Sequence, residues 1–229
     1  RILNDGSANS TLKWALLLGM IDAAPLMVED PSMIPLGTVA QKVLRILRPQ
    51  TRPFGDTDVP LAQQPHQGKT LRLLEIANSD FGRKSSKEAV ATVAWELAQW
   101  PVPRLQRVGG VTLDVLWKTP EAWSARIERR PNRPFPRSLF QTDADNLPIL
   151  SATDGAVRCL AQVGELLRSS VELRWTDKVA AIHMNQAAVN KDADLTLRKY
   201  LFPPRVRPAF TPNFKNALSE LQQHRCFWC

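Results

Sequence analysis

Cysteine is scarce in this chain of 229 residues: there are three. Three cannot build a disulfide framework in a chain this long, and the number suits a reducing compartment. Long apolar runs are also missing. The strongest, Trp14 to Met20, falls far short of the roughly 20 residues that cross a bilayer, and Asp22, Glu29 and Asp30 follow it. No secretory signal is visible, so the expected setting is cytoplasmic. Glycine-rich phosphate cradles are absent as well. Gly68, Lys69 and Thr70 look like the end of one, but the position five before Gly68 is Gln63, which excludes a nucleotide loop of that type. Histidine is sparse, with three in all. His66 and His183 have no indicated carboxylate or nucleophile beside them, so both read as packed or solvated side chains. The chain has no internal repeat and no low-complexity tract. It does not open with methionine, so it reads as a piece of a longer product.

What is present is positive charge and helical periodicity. The formal net charge is +8, and 44% of residues are apolar. The surplus favours polyanionic partners, and the apolar content allows a real core. The segment "TLKWALLLGMIDAA" predicts a helix, capped by Ser7 or Ser10 and ended or kinked by Pro25. It is apolar over so much of its circumference that it belongs at the centre of a core. "GTVAQKVLRILRPQ" predicts a second helix burying Val39, Val43, Ile46 and Leu47, with Lys42, Arg45 and Arg48 on a solvated face. Residues 49–69 hold four prolines and two glycines and read as a loop. A third helix covers "SSKEAVATVAWELAQWP", with Ser85 and Glu88 as a capping box. "GGVTLDVLWK" alternates and predicts a short strand with Val111, Leu113 and Val115 on one side. From Thr153 to Val189 the pattern is helical, as two helices or one long one, with Val157, Leu160, Val163 and Leu167 on one face and Cys159 as a core thiol. A short helix then stops at Pro203 and Pro204, and another starts at Thr211 and Pro212 and runs to the C-terminal cysteines.

Two stretches carry candidate chemistry. The first is "RIERRPNRPFPR", residues 126–137: Arg126, Arg129, Arg130, Arg133 and Arg137 stand among three prolines and one acid. Prolines hold such a loop extended, and extended arginines can meet successive phosphates. The bland alternatives are a solvated loop or an arginine clamp on an acidic helix. The second is the tail "HRCFWC". A Cys-x-x-Cys turn sets two thiolates, Cys226 and Cys229, on one side, where both can bind one zinc ion at about 2.3 Å. Structural zinc takes four ligands, so the pair is half a site. A redox pair and an incidental pair are the other readings. A helix before the motif, rather than a strand, disfavours the redox one.

The context of the tail, "LSELQQHRCFWC", resembles the start of an HNH endonuclease domain. "TLKWALLLGMID", "LRWTDKVAAIHMN" and "LRKYLFPPR" are similar to upstream segments of larger bacterial HNH proteins. The resemblance implies a mainly α, multi-helix N-terminal domain with a short β element, over residues 1–210. It would lead into an incomplete ββα-metal module at 211–229. It implies the N-terminal region of a metal-dependent DNA endonuclease of bacterial restriction or phage defence, with a partner protein possible. Cys226 and Cys229 would be structural Zn2+ ligands. The catalytic histidine and its Mg2+ or other divalent ion would belong to sequence after Cys229. Arg126, Arg129, Arg130, Arg133, Arg137, Arg205, Arg207, Lys215 and Arg225 would contact DNA. His224 stands where the family commonly has glycine. The rival reading is a non-catalytic helical adaptor that binds a partner protein or nucleic acid.

Overall fold

The computed structural model describes residues 11–54, 61, 72–79, 86–108, 111–129, 133–183 and 193–203. Its first helix, α1 (Leu12–Ala23), buries every residue from Trp14 to Ile21. A helix with no polar face has to be enclosed, and α1 is packed between α2 (Leu36–Leu47) and α7 (Ala156–His183). Glycine sets both close approaches. A Cβ on Gly19 of α1 would lie 2.5 Å from Val43 Cγ2 and 3.2 Å from the Val39 carbonyl oxygen on α2. One on Gly164 of α7 would lie 2.9 Å from Ile21 Cγ2. Pro25 ends α1 as expected, in a 3-10 turn over Ala24–Leu26. Thr11 stands at the N-cap position and makes no side-chain cap; Ser7 and Ser10 lie outside the described residues.

α2 is amphipathic as its spacing predicts. Val39, Val43 and Leu47 are buried with Ala40 and Leu44, while Arg45 and Arg48 are exposed and Lys42 is half-buried. Ile46 is half-buried and packs on the margin of the core. A short helix that the periodicity did not announce, α3 (Arg72–Ser79), adds Leu73, Leu74 and Ala77. Then α4 (Ser86–Gln99) lies against α2 with Val93, Ala94 and Leu97 fully buried. Pro101 and Pro103 end it, and a single turn, α5 (Val102–Leu105), follows. Ser85 lies outside the described residues.

The β structure is small and largely unforeseen. β1 (Met33–Pro35), β4 (Gln141–Thr142) and β5 (Pro148–Ser151) form an antiparallel sheet in the order β1-β5-β4. Ile34 pairs with Leu150, both buried, and β5 rests on α2 and α4. The β4–β5 hairpin turns on Asp143, whose Oδ1 accepts from the Asp145 and Leu147 amides at 3.0 and 2.9 Å, and on Asn146 at φ 59°. The strand expected within 109–118 shrinks to β3 (Val111–Thr112), paired with β2 (Arg107–Val108). Val111 and Val115 are 62% and 50% exposed, so this alternation marks no buried face. A side chain takes over the work of a ladder there. The buried Gln106 carboxamide donates to the Trp117 carbonyl at 2.9 Å and accepts from the Leu116 and Trp117 amides.

α7 is one continuous helix of 28 residues. Val157, Leu160, Val171, Trp175 and Val179 are buried on it, but Leu167 is exposed, contrary to its expected place in the core. Cys159 is exposed too, so it is not a core thiol. Arg168 turns inward instead. Its guanidinium pairs with Asp22 of α1, holds Glu165 at 3.0 Å and faces Glu172 at 3.8 Å. Glu172 also pairs with Arg198 at 3.2 Å, on α8 (Ala193–Leu201). α8 is fixed further by Leu197 and Leu201, both buried, and by Gln50 Nε2, which donates to the Leu201 carbonyl at 3.2 Å. Tyr200 donates to the carbonyls of Gln50 and Arg52, and its ring meets Phe54 edge-on at 4.9 Å. Among the described residues no helix is long and apolar enough to cross a membrane.

Two outcomes follow from this packing. Gly19→Ala is expected to lose about 1–3 kcal/mol in denaturant unfolding, and Val43→Ala in the same chain to return part of it. Strictly additive losses would show that the two residues do not meet. Burial raises the Tyr200 phenol above its ordinary value of 10.0, against smaller lowering by a backbone hydrogen bond with Leu61 and by the Arg52 charge. A raised folded value stabilises the protein below pH 10 and loses that contribution as pH climbs through it. Tyr200 is the one tyrosine in the chain, so phenolate absorbance reads it directly. Its midpoint should lie above that of free tyrosine, and Tyr200→Phe should flatten the alkaline loss of stability. An ordinary midpoint would contradict the docking of α8.

Candidate nucleic-acid interface

The basic run at 126–137 is not one extended loop. Arg126 and Arg129 lie in the last turn of a helix, α6 (Glu121–Arg129). Trp123 and Ile127, four apart, are buried on its inner face, and that anchoring outweighs the loop-forming prolines downstream. The extended part begins only at Arg133. Arg133 and Arg137 are exposed, as is Arg129, while Arg126 is half-buried. Among the described residues none of these four arginines makes a salt bridge, so the alternative of a clamp on an acidic helix is not what holds them. Arg130, Arg205, Arg207, Lys215, Arg225, Cys226 and Cys229 lie outside the described residues, as do His66 and the side chain of His183.

The strap at 133–137 is held by its backbone. Three consecutive carbonyls accept from side chains on three helices. Arg104 Nη2 of α5 donates to the Arg133 carbonyl at 3.0 Å, Arg126 Nη2 of α6 to that of Pro134 at 3.3 Å, and Gln99 Nε2 of α4 to that of Phe135 at 2.7 Å. The Phe135 amide returns a bond to the Gln99 carbonyl at 3.2 Å. Phe135 itself is fully buried. Because the main chain supplies the attachment, the Arg133 side chain is left to solvent, and that of Arg137 stays exposed while lying over Trp95.

Beneath the strap the rings form one connected cluster. Phe135 meets Trp123 at 5.7 Å, Trp123 meets Phe140 at 4.9 Å, and Phe140 meets Trp95 at 6.2 Å. Guanidinium groups cover its rim. Arg137 lies 4.8 Å over Trp95, Arg126 lies 5.6 Å over Phe135, and Arg104 lies over both Phe135 and Trp100 at 5.8 and 5.4 Å. Arg104 also donates to the Trp100 carbonyl at 2.7 Å, which places a cation on the last carbonyls of α4. Burial lowers its pKa. Trp123 Nε1 and Arg126 Nε are buried donors with no protein acceptor.

Arg104, Gln99, Trp95, Trp100 and Phe135 were not singled out by sequence. Only Arg104 had a readable signal, as a cation just past the end of a helix in "QWPVPRL". The others depend on contacts between residues such as Gln99 and Phe135, 36 positions apart. Among the described residues no three His, Cys, Asp or Glu side chains gather as a metal site. Cys226 and Cys229, on which the metal reading rests, lie outside the described residues. Comparison with protein-family models, with curated proteins and with solved structures finds no match for this chain.

The strap gives a direct expectation. Gln99→Ala removes one carbonyl's donor and should speed trypsin cleavage after Arg137 several-fold at native conditions. Phe135→Ala should go further and destabilise the whole domain by about 3–5 kcal/mol. An unchanged cleavage rate in Gln99→Ala would show that the strap is held by other means.

Proposed function

We propose that this chain is the DNA-binding, helical N-terminal region of a metal-dependent endonuclease of the HNH type, acting in bacterial restriction or phage defence. The observation that carries the DNA-binding half is the strap. Arg133 and Arg137 are exposed, make no salt bridge among the described residues, and sit on a strap whose carbonyls at 133, 134 and 135 are already satisfied, and Arg129 is exposed at the end of α6. The strap backbone has little ordering entropy left to lose when these cations meet phosphates, and binding releases counterions from the polyanion. Arg104 and Arg126 build the strap and serve as positioning residues. The basic residues at 205, 207, 215 and 225 would extend the same contact toward the nuclease segment.

The nuclease half rests on Cys226, Cys229 and the resemblance of the tail. Those thiolates would take half of a structural Zn2+ site, and sequence after Cys229 would supply the other ligands together with the catalytic histidine and divalent ion. No cleavage step is assigned to residues of this chain. A second reading, a non-catalytic adaptor for a partner protein, is favoured by Leu166, Leu167 and Leu173, which leave an apolar face of α7 exposed at 79%, 42% and 51%.

Salt dependence separates the readings. Replacing Arg129, Arg133 and Arg137 together with alanine should weaken DNA binding and reduce the slope of log K against log salt by about 2–3. An unchanged slope would leave the strap with a structural role only. On the nuclease side, the natural full-length product should carry zinc at about one per chain, lost in Cys226→Ser. Zinc content independent of Cys226 would remove the metal half.

A further inference from the structure

The net charge of +8 is not spread along the chain. Residues 31–55 hold Lys42, Arg45, Arg48 and Arg52 and no acid. Residues 195–219 hold Arg198, Lys199, Arg205, Arg207 and Lys215 and no acid. Of the 30 cations and 22 acids, these 50 residues take nine cations, which leaves 21 cations against 22 acids in the other 179. The two stretches therefore account for the whole surplus, and the strap arginines belong to the balanced remainder.

Folding brings the described parts of the two stretches together. The first closes in a 3-10 turn, Arg48–Thr51, that continues α2. Gln50 Nε2 on this turn donates to the Leu201 carbonyl of α8 at 3.2 Å, and the Tyr200 hydroxyl donates to the carbonyls of Gln50 and Arg52. The Phe54 and Tyr200 rings meet at 4.9 Å beside them. The joint is thus made by backbone carbonyls, an amide side chain and rings, and most of its cations stay outside. Arg45, Arg48, Arg52 and Lys199 are exposed, and Lys42 is half-buried. Arg45, Arg52 and Lys199 make no salt bridge among the described residues. α3 also packs on the turn and adds one charge of each sign, Arg72 and Glu75. An ordinary solvated helix face mixes signs, because an acid three or four residues from a cation stabilises a helix and a second cation there destabilises it. Here Lys42, Arg45, Arg48 and Arg52 follow one another at three- and four-residue steps with no acid between them. With the remainder of the chain near neutral, the field of the molecule steers a polyanion to this joint.

We infer that the joint of α2 and α8 is a second phosphate-contact surface, sharing no residue with the strap, on which Arg45, Arg52 and Lys199 meet the backbone of DNA. This rests on the DNA-binding reading above and adds a second point of contact to it. In sequence, Arg205 and Arg207 follow α8 closely and continue its acid-free run.

The test uses the full chain and a blunt duplex of about 20 base pairs, with anisotropy measured over a salt series. Replacing Arg45, Arg52 and Lys199 together with alanine should weaken binding about tenfold or more and lower the slope of log K against log salt by about 2–3. Replacing Lys118, Arg158 and Arg174, exposed cations elsewhere, should leave the slope nearly unchanged. An unchanged slope in the first variant would overturn the inference and make the joint a solvated face. An equal fall in both variants would also overturn it, because net charge alone would then set the affinity. If only the strap variant lowers the slope, the DNA-binding reading stands without the joint. No binding by the unaltered chain would overturn both.

Discussion

A helix without a polar face has to be surrounded, and α1 is that helix. From Trp14 to Ile21 its side chains are apolar apart from the Trp14 indole N–H, so the fold is organised around covering it. Gly19 lets α2 in on one side, and Gly164 lets α7 accept Ile21 on the other. Once α2 and α7 are placed, their remaining surfaces define the rest. α4 and β5 cover α2, and α8 docks where Arg168 and Glu172 leave charge to be matched. The polar link between Asp22 and Arg168 sits at the last polar position of α1, where the apolar run stops. Apolar burial supplies the stability here, and the ion pairs fix how the helices are aligned.

The arginine strap follows a different logic. Proline-rich segments lack amide donors, so they are poorly suited to join a sheet. Their carbonyls still need partners. In this protein three helices each reach out one side chain to a successive carbonyl, and Phe135 plugs the middle into the core. The consequence is a division of labour among arginines that look alike in sequence. Arg104 and Arg126 face inward to carbonyls and rings. Arg129 and Arg133 face outward, and Arg137 does both, lying on Trp95 while remaining exposed.

Much of the helical frame was legible because buried faces repeat. α1, α2, α4 and α8 fall where the spacing of Leu, Val and Ala puts them, and Pro25 and Pro203 mark ends. The failures have physical causes. β1, β4 and β5 are two to four residues long, too short for alternation to register. α6 was hidden because its arginines and the following prolines resemble a loop, while the two residues that anchor it, Trp123 and Ile127, are only a pair. Cys159 and Leu167 were placed inside because apolar residues crowd α7, yet the helix turns Arg168 toward the core and leaves those two outside. At the candidate site, sequence pointed to the right segment and missed its mechanism. Charge is visible in a linear chain, but the contacts from Gln99 and Arg104 to the strap are made only on folding.

The most direct measurement is a titration of DNA into the protein, followed through the arginine side-chain N–H resonances. Arg129, Arg133 and Arg137 should shift together as DNA is added, while Arg104, held by carbonyls and lying under the strap, should stay in place. Stationary signals from the three outward arginines, with the protein otherwise folded, would contradict the assignment of the strap to a polyanion.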